Sequence, residues 1–403
     1  MHPAWHSGKE GRQQMIDLDA VRADTPGARD RIFLHSAGAS LTPEPVLSEV
    51  IGHLRREAEV GGYRAAAERH AELEQGYAVF AELLDCAPED IAFTDSATRS
   101  WLGLLDAVPL GRGDRVLISQ VEYGANAVAL YRLAEHLGFS VEVMPALPSG
   151  QVDVAALPSL LDERVKLVSV VHMPTNSGLV NPVAEIAAAV HRVGALVLLD
   201  ACQSIGQARV RMTELGVDLL SGTGRKWLRG PRGTGFLAAR RAVAHRLWPR
   251  LVDHSGAEWT DLRQYRLRED ARVFQLWESS IADRLGLIAA ARYALALGID
   301  EIEESVRAKA ATLRDGLAAL DRVQVHDLGT PRSGIVTFSV AGVDPLRAQE
   351  VLQGKGIELG SSSIEGARLD MTARGLDTVL RASPHYFVST EQLESAVEAV
   401  GAL

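Results

Sequence analysis

The chain has 403 residues, of which 42 are Lys or Arg and 52 are Asp or Glu, so its formal net charge is −10. A chain of this length can bury a large apolar core, and it is long enough for roughly two to three domains. Because Cys86 and Cys202 are the only cysteines, a secreted disulfide framework is excluded, and a cysteine-based zinc cluster nearly so. The acidic balance argues against nucleic acid as the main partner, since phosphate binding needs a concentrated basic surface.

The sequence contains no segment that indicates a membrane or an export route. Its first residues are polar and lack the apolar region of a signal peptide. The most apolar stretch, residues 183–199, is interrupted by Glu185, His191 and Arg192, which argues against a membrane span. We therefore expect a cytoplasmic protein that binds neither membrane nor nucleic acid.

Short apolar runs alternate with helix-length amphipathic segments through the first 250 residues. Runs that are apolar at every position are typical of strands covered on both faces, as in a mostly parallel sheet. The predicted strands are residues 91–94, 115–119, 141–144, 166–172, 195–200 and 217–221, with helices over 124–137 and 182–193 between them. This order predicts an α/β fold with a mostly parallel central sheet.

After residue 250 the pattern changes and predicts a smaller α+β domain. Helices are predicted over 281–297, 300–320 and 391–400, and strands over 323–326, 334–340 and 357–360. The predicted domains are residues 31–285 and 286–403. A loosely ordered arm, residues 1–30, precedes them and can pack against the smaller domain.

Polar residues follow several of the predicted strands, where ligands of open parallel sheets bind. In residues 93–98 (FTDSAT), a strand runs into a helix whose N-terminal donors can hold a phosphate, although Ser96 can equally be an ordinary N-cap. Asp200 closes an apolar strand and can pair with a protonated ring nitrogen, or merely cap the next segment.

Two further strand ends carry groups that suit a reactive aldehyde ligand. Lys226 lies among glycines just after a strand, where a desolvated amine can lose its proton and form an imine with an aldehyde. At most other places in a sequence, a lysine would be interpreted as an ordinary surface residue. Tyr123 follows another strand and can lie flat against a planar ring, or pack at the rim of the sheet.

With these residues, the chain resembles the class V aminotransferase and cysteine desulfurase branch of the fold-type I pyridoxal-phosphate (PLP) enzymes. The resemblance runs from residue 34 to residue 386, and its most specific part is D-x-x-Q over 200–203 followed by R-K and G-P-x-G-x-G over 225–235. It implies that Lys226 holds the PLP aldehyde covalently and that Asp200 pairs with the ring nitrogen. The remaining cofactor contacts that it implies are Gln203 to the ring hydroxyl, Tyr123 stacked on the ring and acting in catalysis, and Ala97, Thr98, Thr223 and Arg225 at the phosphate.

The same resemblance assigns a substrate side and a dimer. Arg381 and Asn176 fall on the positions that bind the substrate carboxylate, for which a bidentate guanidinium is well suited. Fold-type I enzymes usually build their sites across a homodimer interface, so Ser279 would reach the phosphate of the neighbouring subunit. We also expect three histidines near the substrate: His35, His172 and His385.

Within this branch, three stretches look closest to the C–S lyase of ergothioneine biosynthesis, which acts on hercynylcysteine sulfoxide. They are residues 57–63 (EAEVGGY), 122–126 (EYGAN) and 225–233 (RKWLRGPRG). Desulfurases carry a mobile-loop Cys that accepts sulfur as a persulfide, and the corresponding residues 360–367 (GSSSIEGA) contain none. The resemblance therefore favours β-elimination of a cysteine S-conjugate or its sulfoxide, with release of pyruvate and ammonia.

Several different functions compete with this one. After the same proton abstraction by Lys226, an epimerase or an aminotransferase would differ only in where the proton returns. A nicotinamide dehydrogenase needs a G-x-G-x-x-G turn after its first strand, which residues 111–113 do not provide. The histidines show no metal-ligand spacing, so we expect no metal. A non-catalytic protein that keeps the PLP fold would not need both Lys226 and Asp200.

Overall fold

The computed structural model describes residues 16–403, and the predicted N-terminal arm before residue 16 lies outside the described residues. The α-helices are α1 Leu18–Ala23, α2 Glu44–Val60, α3 Gly62–Glu68, α4 His70–Leu84, α5 Ala97–Ala107, α6 Gly124–Leu137, α7 Val183–Val190, α8 Met212–Leu215, α9 Ile281–Leu297, α10 Ile299–Ala318, α11 Pro345–Gly354, α12 Arg368–Ala373 and α13 Thr390–Gly401. Within this part of the chain, no helix is both long and apolar enough to cross a membrane.

The strands form two main sheets and a hairpin. They are β1 Ile32–Leu34, β2 Ile91–Thr94, β3 Arg115–Ile118, β4 Ser140–Val143, β5 Val165–Val171, β6 Leu196–Asp200, β7 Leu219–Thr223, β8 Gly235–Ala239, β9 Ala257–Asp261, β10 Gln264–Leu267, β11 Val323–Val325, β12 Val336–Val340, β13 Ile357–Ser363 and β14 Thr378–Ala382. The larger sheet has the order β2-β8-β7-β6-β5-β3-β4. Neighbours from β7 to β4 are parallel, whereas β8 runs antiparallel to both of its neighbours. The predicted α/β fold with a mostly parallel sheet is confirmed.

Burial explains why the central strands are apolar throughout. Every residue of β6 and β7 is buried, because helices cover both faces of the sheet. The exception is β4, which was predicted from the same kind of run but has no buried residue. It is the outer strand of the sheet, where water reaches one side.

The second sheet has the order β1-β13-β14-β12-β11 and is antiparallel except for the parallel pair β1 and β13. Strand β1 thus joins this sheet although it lies at the start of the chain, and the boundaries 31–285 and 286–403 stay a prediction. Strand β13 continues to Ser363, paired with β14, so residues 360–363 are a strand and only the segment after them is a loop.

The boundaries of the arm predicted over residues 1–30 stay a prediction, but its described part is not loosely ordered, because residues 18–23 form a capped helix. Asp17 accepts the N–H of Ala20 and so caps α1. Arg22 donates to the carbonyl of Phe387 at 3.2 Å and to Gln392 at 2.7 Å. This segment therefore packs against the C-terminal part of the chain, as the sequence suggested.

The hairpin β9–β10 was not predicted. Its strands are short and mostly exposed, and they carry no alternation of apolar and polar residues that would have indicated them. Trp259, Leu262 and Tyr265 are exposed on this hairpin.

Candidate active site

The carboxyl ends of the parallel strands open into a cavity that encloses about 630 Å³ of space free of protein atoms, including its open mouth. This is within the range of ordinary small-molecule sites. Its lining residues come from the ends of the strands and from the helix N-termini that follow them: Ser96, Ala97, Thr98, Val121, Tyr123, Val171, Met173, Thr175, Asp200, Cys202, Gln203, Thr223, Arg225 and Lys226. Eight of the residues predicted from sequence to bind the cofactor therefore meet in one cavity.

Lys226 and Asp200 reach the cavity from neighbouring strands. Asp200 ends β6, and Lys226 follows β7, which pairs with β6 in parallel. Burial lowers the pKa of the Lys226 amine, and the negative Asp200 opposes that effect only in part. A larger fraction of the amine is therefore neutral than in water, as a nucleophile or general base requires.

Asp200 is held on both of its oxygens. One accepts the backbone N–H of Cys202 at 3.0 Å, and the other accepts the side-chain amide of Asn126 at 3.0 Å. The carboxylate is 7% exposed, and these two bonds fix its orientation at the floor of the cavity. A buried carboxylate in this position favours a cationic partner.

The N-terminus of α5 forms one wall. Ser96 accepts the N–H of Arg99 at 3.1 Å, so its side chain is an N-cap, as the simpler interpretation expected. The N–H groups of Ala97 and Thr98 lie in the first turn, where no intrahelical carbonyl is available to them, so they remain able to bind an anion. A Cβ on Gly235 would lie 2.2 Å from the backbone of Ser96, so only glycine lets β8 approach this turn.

Thr223 and Arg225 face the same wall from the end of β7. Ser221, in the middle of β7, has a buried hydroxyl with no hydrogen-bond partner among the described residues, but it does not line the cavity. The guanidinium of Arg225 donates to the carbonyl of Gly38. A cation, a threonine hydroxyl and a helix N-terminus make this wall suitable for a phosphate.

Gln203 has a second task besides lining the cavity. Its Oε1 accepts the indole N–H of Trp227 at 2.9 Å, and its Nε2 donates to the carbonyl of Ala37 at 3.0 Å. Gly206, with φ of 92°, lies so close to Trp227 that a Cβ would come within 2.4 Å of its carbonyl carbon. Trp227, which follows Lys226, is therefore held against the loop after β6.

Tyr123 is 41% exposed at the start of α6 and borders the cavity, as predicted. Cys202 also borders the cavity, where burial raises the pKa of its thiol well above the usual value. Its side chain is therefore a neutral thiol in the apoprotein.

The predicted substrate residues Arg381 and Asn176 do not line the cavity themselves. Arg381 is buried, donates through Nη1 to the carbonyl of Thr175 at 3.1 Å and to its hydroxyl, and leaves its Nε without a partner among the described residues. Burial, with Arg225 nearby, lowers the pKa of Arg381 to about 10. Asn176 donates to Asp370 at 2.6 Å and leaves its Oδ1 without a partner there. Both flank Thr175, which lines the cavity.

The three predicted histidines do not behave alike. The ring of His35 lies between the backbones of Gly38 and Gly360, and burial, then Arg381 and Arg225, lowers its pKa to about 4. It is near the two arginines, although it is not part of the lining.

His172 and His385 correct the prediction, because neither borders the cavity. The cavity is lined by Val171 and Met173, and the side chain of the residue between them points away, as alternation along an extended chain requires. His385 accepts the N–H of Tyr386 at 2.9 Å on Nδ1, so its Nε2 is protonated and donates to the carbonyl of Trp227 at 2.8 Å. Both of its ring nitrogens therefore make hydrogen bonds to the backbone.

Ser279 is exposed, immediately before α9, and does not line the cavity of its own subunit. Its contact with a neighbouring subunit stays a prediction.

Sequence reasoning assigned no role to Glu122 or Asn126, although both lie behind Asp200. Glu122 is 1% exposed and accepts the amide of Asn126 at 3.0 Å, and that same amide nitrogen donates to Asp200. Their spacing of four residues across the start of α6 was a usable signal, since residues so spaced lie on one face of a helix.

Comparison with known proteins identifies the family. The profile of the family described as aminotransferase class-V matches residues 32–395. The chain belongs to the class V aminotransferase family.

Relatives of this family member include cysteine desulfurases. A protein described as a probable cysteine desulfurase from Methanothermobacter thermautotrophicus is 28% identical over 384 residues, covering 93% of this chain and 95% of that protein. The apo structure of a cysteine desulfurase from Thermococcus onnurineus NA1 superimposes with a TM-score of 0.89 at 25% identity, covering 97% of this chain and 98% of that one.

A third relative shares the fold at lower identity. It is C-DES, in a structure with glycine covalently linked to its PLP cofactor; the TM-score is 0.85 and the identity 23%, covering 94% of this chain and 98% of that one.

The cofactor of this class V chain is PLP. The cavity offers what the molecule requires: a partly neutral amine for its aldehyde, a fixed carboxylate for its ring nitrogen, and a wall of anion donors for its phosphate. Lys226, Asp200 and the wall formed by Ala97, Thr98, Thr223 and Arg225 fit these three needs.

Proposed function

We propose that the chain is a PLP-dependent carbon–sulfur lyase that carries out β-elimination on a cysteine S-conjugate or its sulfoxide, of the hercynylcysteine sulfoxide type. With water, the substrate yields a thiol, or a sulfenic acid from a sulfoxide, together with pyruvate and ammonia. The observation that carries the proposal is that neither cysteine of the chain is suited to accept sulfur, although the PLP site has its amine, its carboxylate and its phosphate wall.

The two cysteines are both poor persulfide acceptors. Burial raises the pKa of Cys86 to about 12, and it lies beyond the end of α4, outside the cavity lining. The thiol of Cys202 is at the cavity, but its pKa is raised as well. Because the thiolate is the nucleophile, neither side chain has the lowered pKa of a reactive cysteine. Residues 360–367 contain serines instead, at positions 361–363, which β13 holds by pairing with β14.

Individual residues of the chain carry out proton transfer and substrate binding in this reaction. When bound, PLP supplies an electron sink for the carbanion formed at the substrate Cα. Lys226, with its lowered pKa, removes the Cα proton as general base. Arg381, with its unused Nε, binds the substrate carboxylate beside Asn176. Tyr123, partly exposed at the cavity, donates a proton to the leaving sulfur.

A persulfide-forming desulfurase is the second candidate, and the descriptions of the relatives favour it. In that reaction sulfur would be transferred to an enzyme thiol, which the buried cysteines do not supply readily. An epimerase or an aminotransferase is the third candidate, since either would use the same Lys226 base.

The experiment is a product analysis of the PLP-loaded protein with cysteine S-conjugates, their sulfoxides and free cysteine. We expect pyruvate and ammonia in equal amounts from a conjugate or sulfoxide, and no persulfide on Cys86 or Cys202 by mass spectrometry. Turnover of free cysteine with a persulfide on either residue would establish the desulfurase instead. Racemised substrate would establish an epimerase, and a new amino acid formed from a keto acid would establish an aminotransferase.

We also propose that the protein is a homodimer whose sites are completed by the second subunit. The exposed apolar side chains of the hairpin, Trp259, Leu262 and Tyr265, support this, as does the exposed Trp277 beside Ser279. Sedimentation of the purified protein tests it, with a dimer expected; a monomer with full PLP binding would contradict it.

A further inference from the structure

Glu122 is a buried carboxyl that the proposed reaction does not use. It ends the loop between β3 and α6 and is 1% exposed. Its Oε1 accepts the N–H of Tyr123 at 3.1 Å and the Asn126 amide at 3.0 Å, while Oε2 is 3.0 Å from the hydroxyl of Ser169. Burying a carboxyl group in this way costs free energy unless hydrogen bonds or nearby charges compensate for the lost contact with water.

Asn126 joins this carboxyl to the cavity. Its Nδ2 carries two hydrogens and donates one to Glu122 and the other to Asp200, both at 3.0 Å. The geometry is a three-member chain, Glu122–Asn126–Asp200, in which a neutral amide separates two acidic groups. Turning the amide breaks both bonds at once, so the orientation of Asp200 depends on Glu122.

The ionisation of Glu122 depends on the charges near Asp200. Burial, together with the negative Asp200, raises the pKa of Glu122 to about 7 despite its hydrogen bonds. The other groups that contact it, from Tyr123, Asn126 and Ser169, carry no charge. His172, directly after β5, is kept neutral by burial, which lowers its pKa to about 4. Lys226 lies on the cavity side of Asp200.

We propose that Glu122 is a positioning residue of the PLP site, which orients Asp200 through Asn126 and supplies a second negative charge when a ring cation binds to Asp200. A cation at Asp200 offsets the repulsion between the two carboxylates, so cofactor binding favours ionised Glu122. The proposal concerns cofactor binding alone, and it holds for a lyase, a desulfurase or an aminotransferase.

By linkage, the affinity for the cofactor then depends on the protonation of Glu122. Above the pKa of Glu122 in the apoprotein, the carboxylate is already ionised and contributes its charge. Below that pKa, a proton must leave before the charge is available, so the contribution fades. The substitution Glu122→Gln keeps the size of the side chain and one acceptor oxygen for Tyr123 and Asn126, removes the charge, and places an amide donor opposite the Ser169 hydroxyl, which can turn to accept.

The test measures the dissociation constants of PLP and of pyridoxamine 5′-phosphate for the apoprotein between pH 5.5 and 8.5, by absorbance or fluorescence titration. Pyridoxamine phosphate has no aldehyde, so it reports the ring and phosphate contacts without the bond to Lys226. We expect Glu122→Gln to weaken both ligands about tenfold at pH 8.5 and less than about twofold at pH 5.5.

Asp90→Asn is the matched control. Asp90 is likewise a buried carboxyl with backbone donors, from Ala87 and Arg241, and it lies outside the cavity lining. We expect it to change the affinity by the same small factor at every pH. If Glu122→Gln binds both ligands as the wild type does at pH 8.5, or if Asp90→Asn reproduces its pH dependence, the proposal is overturned.

Ser169→Ala provides a second test should Glu122→Gln fail to fold. It removes a donor that stabilises the charged form of Glu122, so the pH at which the affinity changes should move upward. An unchanged pH profile in this variant would contradict the role of Glu122 as well. Because no amino-acid substrate is present in either test, the outcome is independent of which reaction the enzyme performs.

Discussion

The carboxyl edge of the large sheet and residues 381–386 of the small sheet were both predicted to contribute to the site, and they differ in how directly they reach the cavity. At the large sheet, parallel strands all end at the same edge, so Asp200, Thr223 and Lys226 meet in one cavity. Near the end of β14, Arg381 bonds to Thr175, whereas His385, after that strand, bonds to the backbone of Trp227. A polar residue at a parallel strand end therefore indicates a ligand more safely than one near an antiparallel strand.

The largest effect should come from the large-sheet edge. Replacing Lys226 with Ala removes the amine that bonds to the cofactor and acts as base, so we expect activity to fall by at least about 10³-fold. The absorption of bound PLP and the release of pyruvate are the measurements. The exposed Lys355→Ala variant is the control and should keep both.

Asp200→Asn keeps the shape of the side chain but removes its charge. The variant should still bind PLP through Lys226, with activity reduced by about 100-fold or more, because the ring nitrogen loses its ionic partner. Steady-state kinetics beside a cofactor titration would separate the two effects. Near wild-type kcat would show that the carboxylate is not opposite the ring nitrogen.

Ionisation of Glu122 should lower the stability of the apoprotein as the pH rises from 4.5, the ordinary pKa of a Glu side chain, to about 7. The pKa of Glu122 is raised to about 7 by burial, above its value in an unfolded chain, so its contribution is present at low pH and lost as the buried group ionises. We expect the free energy of unfolding of the wild type to fall by about 2–3 kcal/mol more between pH 5 and pH 8 than that of Glu122→Gln. Urea denaturation of both proteins across this range is the measurement, and parallel curves would contradict it.

Arg381→Met tests the contribution of the small sheet to substrate binding. Loss of a charged carboxylate ligand should raise KM by about 10- to 100-fold, with a smaller change in kcat. An unchanged KM would remove Arg381 from the substrate site.

His385→Phe is the companion variant, four residues along the same segment. It leaves the carbonyl of Trp227 and the N–H of Tyr386 without partners, so it should cost about 1–3 kcal/mol of stability. KM should hardly change, since the ring does not border the cavity. A KM effect as large as that of Arg381→Met would restore His385 to the substrate pocket.

Much of the fold was predictable because buried parallel strands are apolar at every position. The edge strand β4 was predicted, but its exposure was not. The hairpin β9–β10 was missed, since its exposed residues carry no such pattern. The extension of β13 through residues 360–363 was missed for another reason. A run of Gly and Ser looks like a loop, and only its pairing with β14 makes it a strand.

The site was predictable where one residue at a strand end determines the chemistry, as for Lys226. It was not predictable where a contact depends on the direction of a side chain, as for His172, or on a partner distant in sequence, as for Asn176 and Asp370. Glu122 shows a third case, because its importance depends on a bond from Asn126 to a strand 74 residues further along.

The covalent bond between Lys226 and PLP can be located after its C=N bond has been reduced. The PLP-loaded protein is treated with borohydride, digested and mapped by mass spectrometry, which locates the lysine that carries the cofactor. We expect a single modified site at Lys226. A cofactor found on any other lysine, or on no lysine, would contradict this expectation.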